Sequence, residues 1–171
     1  MANICTGVFH AVVDDTCPAG AKIIAMRAMS NCFGKLFLRR QLIENMNSVS
    51  KVLEYALDNG LSDQMKPKLL LAATTVALNG SIAFHEEDIG EDAASGLIQW
   101  SRQLGQGSID LSEQAIQNVA TALGNIAHKN KDLVKSAQGE EIVDSLISRL
   151  GGSPSTQVNE TLEETRKLLD S

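Results

Sequence analysis

Leu69-Leu70-Leu71-Ala72-Ala73-Thr74-Thr75-Val76-Ala77-Leu78-Asn79-Gly80-Ser81-Ile82-Ala83-Phe84-His85 is the longest stretch of this 171-residue chain without a formal charge. Leu69, Ala73, Val76, Gly80 and Phe84 recur at helical spacing. Thr74, Thr75, Asn79 and Ser81 interrupt it, and a bilayer span takes about 20 apolar residues. The stretch therefore reads as a buried helix. Its end, Ala77-Leu78-Asn79, has two counterparts in Ala28-Met29-Ser30-Asn31 and Ala122-Leu123-Gly124-Asn125. Asn79 lies 48 residues after Asn31, and Asn125 lies 46 after Asn79. Stacked helical repeats recur at roughly 40–47 residues.

That recurrence predicts an all-α fold, an armadillo/HEAT-like α-solenoid of about three to four repeats; an irregular helical bundle is the alternative. The segments expected to be helical are Asn3–Val13, Ala19–Phe33, Lys35–Met46, Val49–Leu57, Met65–Phe84, Glu91–Leu104, Leu111–His128, Lys131–Ser136, Glu141–Leu150 and Ser155–Leu169. Turn formers separate them at Asp58-Asn59-Gly60, Gly105-Gln106-Gly107-Ser108 and Gly151-Gly152-Ser153-Pro154. Asp110 with Glu113 approximates a capping box. Ser153-Pro154 places a cap before a proline at a first helical position. Gly139 and Gly151 suit helix exits. Alanine and leucine dominate the apolar 43%, and aromatics are only 4%, which favours helix over strand. The length suits one domain over residues 1–171.

Composition narrows the function classes. Fifteen Lys and Arg against 21 Asp and Glu leave a net charge of −6, the wrong sign for a general nucleic-acid binder. Cys5, Cys17 and Cys32 lack ligand spacing and read as reduced thiols of a cytoplasmic or nuclear protein. The N-terminus has no basic start followed by an apolar run, so no signal peptide is expected. His10, His85 and His128 are far apart and do not suggest a metal site. No phosphate-cradling glycine motif occurs. Cys5 and His10 lack a third orienting group, and Glu140-Glu141 and Glu163-Glu164 read as solvated helix charges. No catalysis, metal or cofactor is expected.

A solenoid instead offers a concave face lined by one helix per repeat. An asparagine amide there donates to a backbone carbonyl and accepts from a backbone N–H of an extended peptide. Asn31, Asn79 and Asn125 are candidates for such a ladder; the competing reading makes each a helix-end or interhelix hydrogen-bonding residue. Arg27 shares a helix face with Asn31 and is the one charge between Ile23 and Gly34. It is paired internally, snorkelling, or presented to a carboxylate. Lys35, Arg39 and Arg40 form the densest basic cluster, either an extension of a basic groove or a solvated face. Lys129, Lys131 and Lys135 suit positions near a helix end. Trp100 reads as core rather than a docking anchor.

Met26-Arg27-Ala28-Met29-Ser30-Asn31-Cys32-Phe33 resembles the LR-x-x-x-N-x-F signature of PUL domains, the C-terminal domains of the phospholipase A2-activating protein family. Leu71–His85 is similar to the family's L-A-T-x-x-L-N-x-S helix, and Ala122-Leu123-Gly124-Asn125 to its A-L-G-T segment. The resemblance covers the chain from about Gly20 onward. It implies a non-catalytic armadillo-like domain that binds the acidic C-terminal tail of the AAA+ ATPase valosin-containing protein in ubiquitin-dependent turnover. Other domains of a parent chain would contact ubiquitin-pathway proteins; nucleic acid and a membrane span are not expected. The implied peptide-binding residues are Arg27, Asn31, Asn79, Asn125 and Lys35. The alternative is a structural docking or dimerisation domain without a peptide groove. Two features depart from the family. Only Met1–Asp15 stand where PUL domains carry upstream repeats, which reads as the C-terminal part of a longer domain or a shortened relative. The helix leading into A-L-G carries Gln117-Asn118-Val119 where the family tends to carry an arginine.

Overall fold

The uncharged stretch around Asn79 is the body of a 21-residue helix, Lys66–Glu86. Its apolar positions Leu69, Ala73 and Val76 are all fully buried, as the spacing predicts. The computed structural model describes residues 4–35, 38–39, 41, 53–57, 65–86, 91–107, 109–150 and 154–170. Among them the regular structure is helical throughout, with no strand. In chain order the helices are α1 (Ile4–Val13), α2 (Ala19–Phe33), α3 (Lys66–Glu86), α4 (Glu91–Gln106), α5 (Glu113–Lys129), α6 (Lys131–Ser136), α7 (Gly139–Ser148) and α8 (Thr156–Asp170). Residues 53–57 are helical as well. The rest of the expected helices Lys35–Met46 and Val49–Leu57 falls largely outside the described residues, as do Asp58-Asn59-Gly60 and Gly151-Gly152-Ser153.

Two layers are built from side chains that reach one repeat forward. In the first, α2, α3, α5 and α8 pack in that order. Ser30 meets Thr75 and Asn79, Thr74 meets Asn118, Ser81 meets Asn125, Gln117 meets Thr161, and Ala120 meets Thr165. Residue numbers rise together along α3–α5 and α5–α8, and Ser30 and Phe33 of α2 lie against Thr75 and Gly80 of α3, so these helices run parallel. In the second layer Trp100 Nε1 donates to the Leu53 carbonyl at 2.9 Å, and Arg149 donates to the Leu104 carbonyl. All these partners stand 43 to 49 residues apart. A narrow range of separations across both layers is what a helical repeat produces, and the fold is an α-solenoid.

Leu70, Leu97, Leu104, Val119, Leu123, Ile142 and Leu146 are buried in one shared cluster. Burying such side chains contributes about 1.5–3 kcal/mol each. Trp100 belongs to this core, at 3% exposure. Lys22 is also buried, with its Nζ 3.8 Å from the centre of the Tyr55 ring and no hydrogen-bond partner among the described residues. That cation–π contact ties α2 to the helical residues 53–57.

Three local expectations are corrected. Gly139 opens α7 rather than closing a helix, and Gln138 takes the left-handed conformation instead, at φ 56°. A Cβ on residue 139 would sit 2.4 Å from Val134 Cγ1, so glycine is placed there by crowding. Ser112, not Asp110, caps α5, its hydroxyl accepting from Ala115 N. Helix α8 starts at Thr156, with Pro154 outside it.

Candidate peptide-binding ridge

Helix α2 has no acidic residue, and its two cations part company. Lys22 turns into the core, whereas Arg27 is exposed. Asn31 and Lys35 follow Arg27 at spacings of four and are also exposed, which places all three on one side of the helix and its exit. Their side chains make no hydrogen bond or ion pair among the described residues. Ile24, 68% exposed, continues the same surface one turn earlier. The basic neighbour Arg39 is committed locally, its Nε donating to the Phe33 carbonyl at 2.7 Å. Arg40 lies outside the described residues.

Asn79 and Asn125 occupy the same level of the next two helices but are half-buried. Each uses its amide N–H on the helix before it. Asn79 Nδ2 donates to Ser30 Oγ at 2.5 Å, and Asn125 Nδ2 donates to Ser81 Oγ at 2.9 Å. Both serine hydroxyls donate in turn to α3 carbonyls, those of Thr75 and Leu78. These two asparagines therefore fasten the stack with one N–H each, and their Oδ1 atoms meet no donor among the described residues and can accept an incoming N–H. Asn31 keeps its whole amide.

Asn118 was not singled out as a site residue by the sequence, yet it is the most enclosed amide of the ridge, at 4% exposure. Its Nδ2 donates to Thr74 Oγ1 at 3.3 Å and Thr75 Oγ1 at 3.2 Å, and its Oδ1 accepts from Gln114 Nε2 at 3.1 Å. Beside it Gln117 Nε2 donates to Thr161 Oγ1 at 3.3 Å. The segment in which the family resemblance implies an arginine thus carries two neutral amides turned toward adjacent helices. The signal was present in the spacing: Thr74 and Asn118 are one repeat, 44 residues, apart. The ridge is cationic on α2 and neutral on α3 and α5.

Among the described titratable groups none points to a nucleophile. Burial pushes the Cys32 thiol up, opposite to the shift an attacking thiolate needs. The Cys5 side chain lies outside the described ones. Asp14 is held below the usual carboxylate range, first by the Thr16 hydroxyl and then by the Thr16 backbone N–H. These bonds, at 2.7 and 2.8 Å, close the turn between α1 and α2. Among the described residues no three His, Cys, Asp or Glu side chains gather in a metal-binding group, and no helix is long and apolar enough to cross a membrane.

Neither the curated proteins nor the solved structures compared with this chain gave a match. A family model described as PUL domain matches residues 3–164. That span holds both helical layers, the Arg27–Asn31 surface and all three asparagines of the repeat. The chain belongs to the PUL domain family of protein-interaction domains.

Proposed function

We propose that the α2 surface captures the acidic C-terminal tail of the AAA+ ATPase valosin-containing protein. Arg27 pairs with a carboxylate of the tail, because a guanidinium presents a planar fork of donors to it. Asn31 brackets a peptide unit with its free amide, Lys35 adds a second positive charge, and Asn79 and Asn125 offer acceptors to later N–H groups. The role is non-catalytic. It belongs to ubiquitin-dependent protein turnover in the cytoplasm or nucleus, within a longer parent chain whose other domains meet ubiquitin-pathway proteins. The observation that supports this most is the line Arg27, Asn31 and Lys35, exposed and without partners among the described residues.

Fluorescence anisotropy of a labelled C-terminal peptide of the ATPase tests it. The wild type should bind saturably and more weakly as salt rises. Arg27→Glu should weaken binding at least tenfold and leave helicity and the melting midpoint unchanged. Equal binding by the variant overturns the assignment. The second reading, a structural docking domain without a peptide groove, draws on the internal bonds of Asn79 and Asn125. It is favoured if the folded wild type shows no saturable binding.

A further inference from the structure

A cleft of about 380 Å³ opens between α4 and the turn joining α6 to α7. Arg102 lines it together with the polar side chains of Ser95, Gln99, Gln103, Ser136 and Gln138, and no aspartate or glutamate is among its walls. None of these residues belongs to α2, α3 or α5, so the cleft is separate from the ridge. Its cation is held in place by a relay. Glu141 Oε1 accepts from Gln138 Nε2 at 2.9 Å, Gln138 Oε1 accepts from Arg102 Nη2 at 3.1 Å, and the same Nη2 donates to the Ala137 carbonyl. The guanidinium has five N–H donors. Nη2 satisfies two acceptors, and Nε and Nη1 make no hydrogen bond among the described residues.

We infer that this cleft is a carboxylate-binding site, in which Arg102 supplies the charge and the surrounding glutamine and serine side chains supply further donors. A half-buried guanidinium oriented in advance loses little freedom on meeting an anion. Its remaining donors gain the charge-assisted bonds they lack. The volume suits a ligand of a few heavy atoms, within the range of small-molecule clefts. The shared chemistry is a carboxylate on a short aliphatic stem. It is supplied either by an acidic side chain of a bound peptide or by a free dicarboxylate.

The test is a nitrogen-15 NMR titration of the whole chain with glutarate, with its neutral isostere glutaramide, and with a capped tripeptide carrying one glutamate. Glutarate or the tripeptide should shift the Arg102 Nε–H and the Ala137 and Gln138 amides saturably, and glutaramide should bind at least tenfold more weakly. Tighter binding of the tripeptide identifies a peptide side chain as the source; tighter binding of glutarate identifies the free acid. Arg102→Gln should abolish binding. Because Arg102 also holds the Ala137 carbonyl, Gln103→Glu is the second variant. It leaves that contact intact, sets a like charge at the rim, and should also cost at least tenfold. Arg27→Glu should change nothing here, which separates this site from the ridge. An unsaturable response of the wild type, equal binding of glutaramide, or full binding by Gln103→Glu overturns the inference.

Discussion

Gly139 shows how little room a single residue can have. A Cβ there would meet Val134 Cγ1 at 2.4 Å, the Val134 carbonyl at 3.0 Å and Leu169 Cδ1 at 3.3 Å. Val134 and Leu169 are themselves fully buried, so neither can swing aside into solvent. Gly139→Ala should therefore destabilise the protein by about 1–3 kcal/mol, the cost of overpacking a filled core. An equilibrium urea midpoint equal to that of the wild type would show that Val134 gives way instead. The sequence could be read for a special glycine here but not for its reason. Local rules place glycine at helix exits, whereas the contact that demands it comes from two other helices. Asn118 was missed in the same way, since its partners Thr74 and Thr75 lie a full repeat earlier. Arg27, by contrast, stood out as a lone charge on an apolar segment, and it is exposed.

Helix boundaries divide along the same line. Ala19–Phe33 and Lys131–Ser136 match the sequence reading at both ends, because Pro18 and Asn130 mark their starts locally. The Asn130 side chain accepts from Leu133 N at 3.1 Å. Helix α4, expected to stop at Leu104, continues to Gln106. Its last turn is completed by Arg149, whose Nη1 donates to the carbonyls of Leu104 and Gly105 from 45 and 44 residues away. Burial pulls the Arg149 guanidinium below its ordinary range, with Asp110 opposing. Hydrogen bonds from a charged donor contribute about 1.5–3 kcal/mol. Arg149→Ala should lower stability by about 1–3 kcal/mol and release the last turn of α4. Denaturant unfolding measures the first effect, and carbon chemical shifts of residues 103–106 report the second. Helical shifts that persist there would show that α4 ends on its own propensity.

The whole chain is a stack in which each helix leans on its neighbours one repeat away, and stability in such arrays is shared between adjacent units. Ten residues of α5 are buried between α3 and α8. Among the described side chains of α1, only Phe9 and Val12 are buried, and this helix packs on α2. Amide hydrogen exchange should run accordingly. The central amides of α5 should open only with global unfolding, and those of α1 should exchange at least tenfold faster. Uniform protection along the chain would mean that the stack opens as one unit. The repeat itself was readable because asparagines at one level of α2, α3 and α5 recur at the repeat length. The pairing of α4 with α7 was not, because it rests on apolar side chains common to every helix, Leu104 and Leu146 among them, and on Arg149 bonding to backbone that carries no residue identity. Parallel packing has an electrostatic consequence as well. Peptide dipoles aligned head to tail leave about half a negative charge at each helix C-terminus, and parallel neighbours gather these poles along one edge. Helices α5, α6 and α8 carry their own cations in the last turn, at Lys129, Lys135 and Lys167. Helices α2, α4 and α7 carry none there, and the terminal carbonyls of α2 and α4 receive Arg39 and Arg149 from the chain that follows. Lengthening such a solenoid by one parallel helix adds a further negative pole to that edge, which a cation in its own last turn or from the segment that follows would offset.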